Sequence, residues 1–158
     1  MAAETAAQAR ISDTTLRGFT GYGMKRAFNA IQTDVNAALA PLGLRMVTFS
    51  ALVIVVDNPG LRQSQLAEAL SIERPNLVLL VDDLERRGLI TRDRAPDDGR
   101  AYALTATAQG RALYVRALKA VRDHDDKMTR ALSDTQRAAM VDALARIEAA
   151  GGEGGDPA

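Results

Sequence analysis

The residues best suited to chemistry lie between Gly60 and Gly110, and most of them are arginines. Arg74 and Asn76 stand at the head of a helical pattern, Arg92 and Arg94 precede a polar tip, and Arg100 follows it. A guanidinium can bond O6 and N7 of guanine, and a carboxamide can bond N6 and N7 of adenine. Val78 and Leu79 share the helix face of Arg74 and Asn76 and can touch only thymine methyls. The chemistry expected is recognition of duplex DNA rather than bond making. No nucleophile-base-orienter set and no phosphate-binding glycine loop occurs in the sequence. We therefore expect no catalytic residue, no cofactor and no enzyme.

His124 is the only histidine and sits among Asp123, Asp125 and Asp126. Histidine and aspartate together can bind a metal. Within one helix only residues three or four apart share a face. Those are Ala120, Val121, Lys127 and Met128, none of them a good ligand. The expectation is a solvated helix surface and no metal.

These side chains need elements to position them. The pattern predicts a helix over Gln63–Leu70, a turn over Ser71–Arg74, and a second helix from about Pro75 to Arg87, stopped by Gly88. Two extended runs follow, Leu89–Asp93 and Tyr102–Thr105, joined by a polar tip over Ala95–Arg100. Helix, turn, helix and β-ribbon in that order make a winged helix-turn-helix. Leu66, Ala67 and Leu70 face inward, Ala67 being small enough for a close helix crossing. Ile72, Leu77, Leu80, Val81 and Leu84 form the buried stripe of the second helix. Its other face carries Glu73, Arg74, Pro75, Asn76, Val78, Leu79 and Asp82. A recognition helix enters the major groove by its N-terminal end, so that face is the reading face.

Helical stripes flank this lobe. Leu16, Phe19, Gly23, Ala27, Ile31, Val35, Leu39 and Leu42 recur at steps of three or four, with Ser12 or Asp13 able to cap the start. Gly18, Gly21 and Gly23 weaken the first half of that helix. They reflect either a poorly formed first turn or the close approach of a partner helix or ligand. Ala51–Val56 is an unbroken apolar run that periodicity alone leaves open between buried strand and buried helix. After Thr105 a helix to about Arg130 carries Tyr114, Ala117, Leu118, Val121, Met128 and Leu132. Ser133 and Gln136 form a capping box for a last helix that should bury Met140, Val141, Leu144 and Ile147. The tail from Gly151 to Ala158 has a disordered composition.

A chain of 158 residues that is 47% apolar suits one domain, or one lobe with a helical extension. The absence of cysteine excludes disulfides, thiolate metal sites and thiol redox sensing. The polar N-terminus is no secretory signal and no apolar run approaches the ~20 residues of a membrane span, so no membrane and a cytoplasmic location are expected. Net charge is zero, and from Arg62 to Arg100 there are seven arginines, no lysine and eight acids. DNA binding must therefore depend on where the arginines point.

The stretches QSQLAEAL, LVDDLERRGLITR and DGRAYALTATAQG, in this order and spacing, resemble the MarR family of bacterial transcriptional regulators. With helices predicted on both sides, the resemblance covers nearly the whole chain. It implies a mainly α fold with a small β-wing: a winged helix-turn-helix lobe plus N- and C-terminal dimerisation helices. The implied division is a flexible N-terminus over 1–11, a dimerisation helix over 12–43, the lobe over 44–110, dimerisation helices over 111–150 and a tail over 151–158. It also implies that Ala51–Val56 is helical. Asp98-Gly99-Arg100 fits the family's wing motif, which implies Arg100 in the minor groove with Asp98 orienting it. The same residues also make an ordinary solvated turn with Pro96. Arg62 stands where the family usually has Ser or Thr, exchanging a side-chain cap for a phosphate contact. Arg92 and Arg94 flank the wing tip and are expected on the DNA as well.

Val78 and Leu79 depart from the family, whose residues there are more often polar or basic. The departure implies reliance on phosphates and DNA shape. The alternative is a helical dimer that binds another protein through Val78 and Leu79 and does not bind DNA. A two-fold dimer would set two recognition helices ~34–36 Å apart on a palindromic operator. The absence of cysteine removes the switch of peroxide-sensing relatives. Family members commonly answer to small aromatic molecules. The candidates here are Phe19, Tyr22, Arg26 and Phe49, as apolar walls, a phenol and a cation for a carboxylate. The same four can equally be core, packing and surface. The long N-terminal helix most resembles members that control aromatic-acid catabolism, some of them sensing aromatic acyl-CoA thioesters. The resemblance thus implies a homodimeric repressor of double-stranded DNA, relieved by a small aromatic effector.

Overall fold

A computed structural model describes residues 11–95 and 98–152, with the backbone alone at 95, 98–101 and 152. Its helices are α1 (Thr20–Leu39), α2 (Met46–Asp57), α3 (Gln63–Ala69), α4 (Arg74–Arg86), α5 (Ala108–Thr129) and α6 (Asp134–Gly152). Its strands are β1 (Leu61–Arg62), β2 (Ile90–Ala95) and β3 (Asp98–Ala106). They form one antiparallel sheet in the order β1-β3-β2. The two-residue strand β1 was not evident in the sequence.

The ambiguous run Ala51–Val56 is helical. Ala51, Leu52 and Val55 are buried, a helical spacing, while Val47 is exposed. The start of α2 has its donors satisfied: Arg45 N–H bonds Thr48 Oγ1 at 2.8 Å and Met46 N–H bonds Asn36 Oδ1 at 2.8 Å. These three residues join Leu66, Leu77, Val81, Leu84, Ile90 and Leu104 in the core of the lobe. A smaller cluster of Val35, Leu39, Leu44 and Ala117 ties α1 to α5, with Phe49 packed against it. Leu113 on α5 touches both clusters and α2 contributes to both, so these two helices pack the stem, α1 with α5, against the lobe.

Glycines at the two ends of the wing are required by geometry. Gly88 ends α4 at φ +67°, a left-handed conformation that costs side-chain-bearing residues more. A Cβ on Gly110 would lie 2.0 Å from the Leu89 carbonyl oxygen, so only glycine lets α5 start against the end of the wing. Thr107 completes that junction. Its Oγ1 donates to Gly88 O at 2.7 Å and accepts from Gly110 N–H at 3.0 Å.

The flanks differ from expectation. On α1 only Val35 and Leu39 are buried; Leu16, Phe19 and Ile31 of the expected stripe are exposed. Neither Ser12 nor Asp13 caps α1, whose N-cap is Phe19 after a short 3-10 turn over Leu16–Gly18. A Cβ at Gly18, Gly21 or Gly23 meets nothing within 4 Å, so no contact within this chain requires those glycines. The Ser133–Gln136 capping box forms as expected. Yet Met140, Val141, Leu144 and Ile147 on α6 are all exposed, Val141 by 64%. Among the described residues nothing covers these faces. Among the described residues no single helix is long and apolar enough to cross a membrane.

Candidate nucleic-acid interface

The two faces of α4 separate as the sequence pattern requires. Leu77, Leu80, Val81 and Leu84 are buried, while Glu73, Arg74, Pro75, Asn76, Val78, Leu79 and Asp82 are exposed. Leu79 is 71% exposed and Val78 44%, so neither belongs to the core of the chain. Helix α4 begins at Arg74 with Pro75 in its first turn, where a missing N–H leaves no bond unmade. Hydrogen-bonding side chains and apolar ones thus stand together at the solvent end of the reading helix.

Beside them lies a cleft of about 260 Å³, lined by Arg62, Gln63, Ser64, Arg74, Leu77, Val78 and Tyr102. Three elements meet there: the start of α3, the start of α4 and the helix-facing side of β3. Residue Arg62 precedes α3, and its backbone N–H bonds Gln65 Oε1 at 2.9 Å. That bond comes from Gln65, so the helix start keeps half of a capping box although an arginine side chain accepts nothing. Among the described residues the polar side chains of the lining are two guanidiniums, an amide and two hydroxyls, with no carboxylate. This suits a phosphodiester.

Gln63, Ser64 and Tyr102 were not singled out from the sequence. Period two offered the signal for Tyr102. It shares the strand face of Leu104 and Ala106, both buried, but lies beyond the edge of the core and is exposed. Arg94 pairs across the ladder with Tyr102, which puts Arg94 on that same projecting part of the wing.

Arg92 requires a correction. It was expected on DNA, but its side chain is turned to α4. Arg92 Nη1 lies 2.8 Å from Asp82 Oδ1, and its Nε and Nη2 both donate to Glu85 Oε2. The expectations for Asp98 and Arg100 concern side chains outside the described residues.

Three acids of α4 are paired within the lobe. Asp82 and Glu85 are engaged by Arg92, and Asp83 by Arg86 and Arg87. The arginines beside Asp83 hold its carboxyl below the usual range against the opposing effect of burial. These acids lie in the second half of α4, whereas Arg74 and Asn76 stand at its head.

Two further expectations meet the structure away from this face. His124 is not on a solvated surface. It is 6% exposed, and its Nδ1 lies 2.8 Å from Asp34 Oδ2 on α1, with Lys127 on the other oxygen at 2.5 Å. Its partner is ninety positions away in sequence, outside the same-helix neighbours considered above. Of the four candidate ligand residues, Tyr22 and Arg26 meet at Asp13. The Tyr22 hydroxyl donates to Asp13 Oδ2 at 2.8 Å, and the Arg26 guanidinium lies over the Tyr22 ring, 5.8 Å from its centre. Phe19 is 63% exposed nearby, while Phe49 packs in the stem core.

Comparison with known proteins follows the same lines. Residues 44–102 match the family model described as MarR family. A putative transcriptional regulatory protein for the hcr operon of Thauera aromatica is 31% identical over 84% of this chain and 81% of its own length. The transcriptional repressor CouR bound to a 23-mer DNA duplex superposes with a TM-score of 0.84 at 38% identity, over 89% of this chain and 99% of that one. CouR bound to p-coumaroyl-CoA superposes at 0.79 and 37%, over 87% and 97%. The Mycobacterium tuberculosis MarR family protein Rv2887 in complex with salicylic acid does so at 0.67 and 31%, over 82% and 96%. Identity and coverage at this level, on a winged helix-turn-helix with an exposed reading face, establish that this chain belongs to the MarR family.

Proposed function

We propose that this chain is a homodimeric DNA-binding transcriptional repressor whose hold on a palindromic operator is relieved by a small aromatic acid or aromatic acyl-CoA. One observation carries the reading: the exposed head of α4 borders a cleft whose lining, among the described residues, offers donors and no acid, on a fold that superposes on CouR bound to DNA. Arg74 and Asn76 read bases, Val78 and Leu79 touch thymine methyls, and Arg62 and Tyr102 hold phosphate. Arg94 and Arg100 follow the wing to the minor groove. The chain divides by task into the lobe over 44–110 and dimerisation helices over 12–43 and 111–150. The exposed apolar faces of α1 and α6 are the reason to assign those helices to a second copy. We read it as a cytoplasmic binding protein without catalysis, since its relatives are named as regulators and repressors.

The effector clause rests on relatives in complex with p-coumaroyl-CoA and salicylic acid. Phe19, Tyr22 and Arg26 would form one wall of that site, with Arg26 meeting the acid group once Asp13 gives way.

The test is titration of a labelled duplex from the region upstream of the protein's own gene, at two salt concentrations. Binding through several phosphates must weaken steeply as salt rises. Arg74→Ala should cost about 1–3 kcal/mol of binding. Salt-insensitive binding to another protein through Val78 and Leu79, with no affinity for DNA, would replace this reading. Salicylate and p-coumaroyl-CoA added to the complex test the effector clause separately.

A further inference from the structure

Arg92 sits where a DNA contact would be expected, on the strand that leads to the wing tip. Its strand position turns it the other way. Residues 90, 92 and 94 share one face of β2, and Ile90 on that face is buried. Across the ladder Arg92 opposes Leu104, also buried. The side chain therefore rises from the inner face of the wing toward α4. There it meets Asp82 and Glu85, which are three residues apart and so project from the same side of the helix. Nε and Nη2 go to Glu85 and Nη1 goes to Asp82, with 24% of the side chain left exposed. A planar fork can hold two carboxylates in this way, and an ammonium cannot match that geometry.

We propose that Arg92 is a positioning residue for DNA binding: by bridging Asp82 and Glu85 it fixes the angle between the wing and the recognition helix, so that both meet one duplex together. The inference rests on the DNA-binding reading above. At its base the wing joins the core through Ile90, Leu104 and Ala106, and β3 also meets the body along β1 and at Tyr102 beside the cleft; the bridge is what ties β2 to α4. The distal half is a two-stranded ribbon whose register shifts between Arg94 and Ala95. A hinge about the base would move the tip furthest, and the Arg92 bridge lies between base and tip. The same guanidinium offsets one of the two negative charges that the reading helix would otherwise turn toward the phosphates.

The experiment measures operator affinity against salt for the wild type, Arg92→Lys, Arg92→Ala and the double variant Asp82→Asn/Glu85→Gln. Arg100→Ala is made in both the wild-type and the double-variant backgrounds. Thermal melting confirms that each protein is folded at the assay temperature. Removing two negative charges near DNA would by electrostatics alone tighten binding. The bridge predicts the opposite, a weakening on the order of tenfold. Arg92→Lys keeps the charge and should weaken binding to a similar degree. With the wing released, Arg100→Ala should cost less in the double variant than in the wild type. Tighter binding by the double variant would overturn the proposal. So would wild-type affinity for Arg92→Lys, or an Arg100→Ala cost as large in the double variant as in the wild type. A folded wild type that shows no salt-sensitive binding would instead refute the DNA reading itself, and the bridge with it.

Discussion

The lobe and its flanking helices follow the same rule of sequence and end differently. In α4 the apolar stripe is buried and the polar face is exposed, both within one chain. In α6 and in α1 as far as Ile31 the stripes are as regular, yet Ile31, Met140, Leu144 and Ile147 stand exposed. Periodicity tells which face of a helix is apolar; it does not tell which molecule covers it. Contiguous apolar faces on a soluble chain mark an interface. The difference therefore separates a part that can complete its own core from a part that needs a partner.

The largest effect that sharpens this contrast is expected in the lobe. Leu66 is wholly buried among α2, α4 and the sheet, so Leu66→Ala should cost about 2–5 kcal/mol. Urea unfolding checks it. Val141→Ala, on the exposed face of α6, should cost far less in a separated subunit and should act mainly through the concentration dependence of the melting temperature. If Val141→Ala destabilised the chain equally at every protein concentration, the contrast would be broken.

The next effect probes the junction. Gly110→Ala sets a methyl against the Leu89 carbonyl and should cost about 1–3 kcal/mol, read as a lower melting temperature. The backbones of α5 and the wing must part, so DNA affinity should fall as well.

The smallest effect lies in the stem. Lys127 and then His124, both bonded to Asp34, hold its carboxyl below the usual range. A carboxyl with a lowered folded pKa stabilises the fold above its unfolded value of about 3.9, and that stabilisation is lost as pH falls through the folded value. Asp34→Asn should therefore flatten the decline of stability below about pH 4. Unfolding curves across that acid range check it, and an unchanged acid limb would show that the Asp34 contacts do not link α1 to α5 energetically.

What the sequence disclosed tracks the range of the interaction. Both faces of α4, the stop at Gly88 and the Ser133–Gln136 cap depend on neighbours within four residues, and each is as expected. Ala51–Val56 needed the family resemblance, because a run apolar on every side has no period to read. The Asp34–His124 contact joins α1 to α5 and no local spacing encodes it. A positive charge near a wing tip suggests phosphate, but the strand parity of Arg92 turns its side chain to Asp82 and Glu85. The same parity would have put Tyr102 beside Arg62 and Arg74.

The central claim is that a second copy of this chain covers the apolar faces of α1 and α6. The direct measurement is the molar mass in solution by light scattering at micromolar concentration, for the wild type and Leu144→Asp. The account predicts twice the mass of one 16.9 kDa chain for the wild type and a shift toward a single chain for the variant. A folded wild-type monomer at that concentration would contradict it.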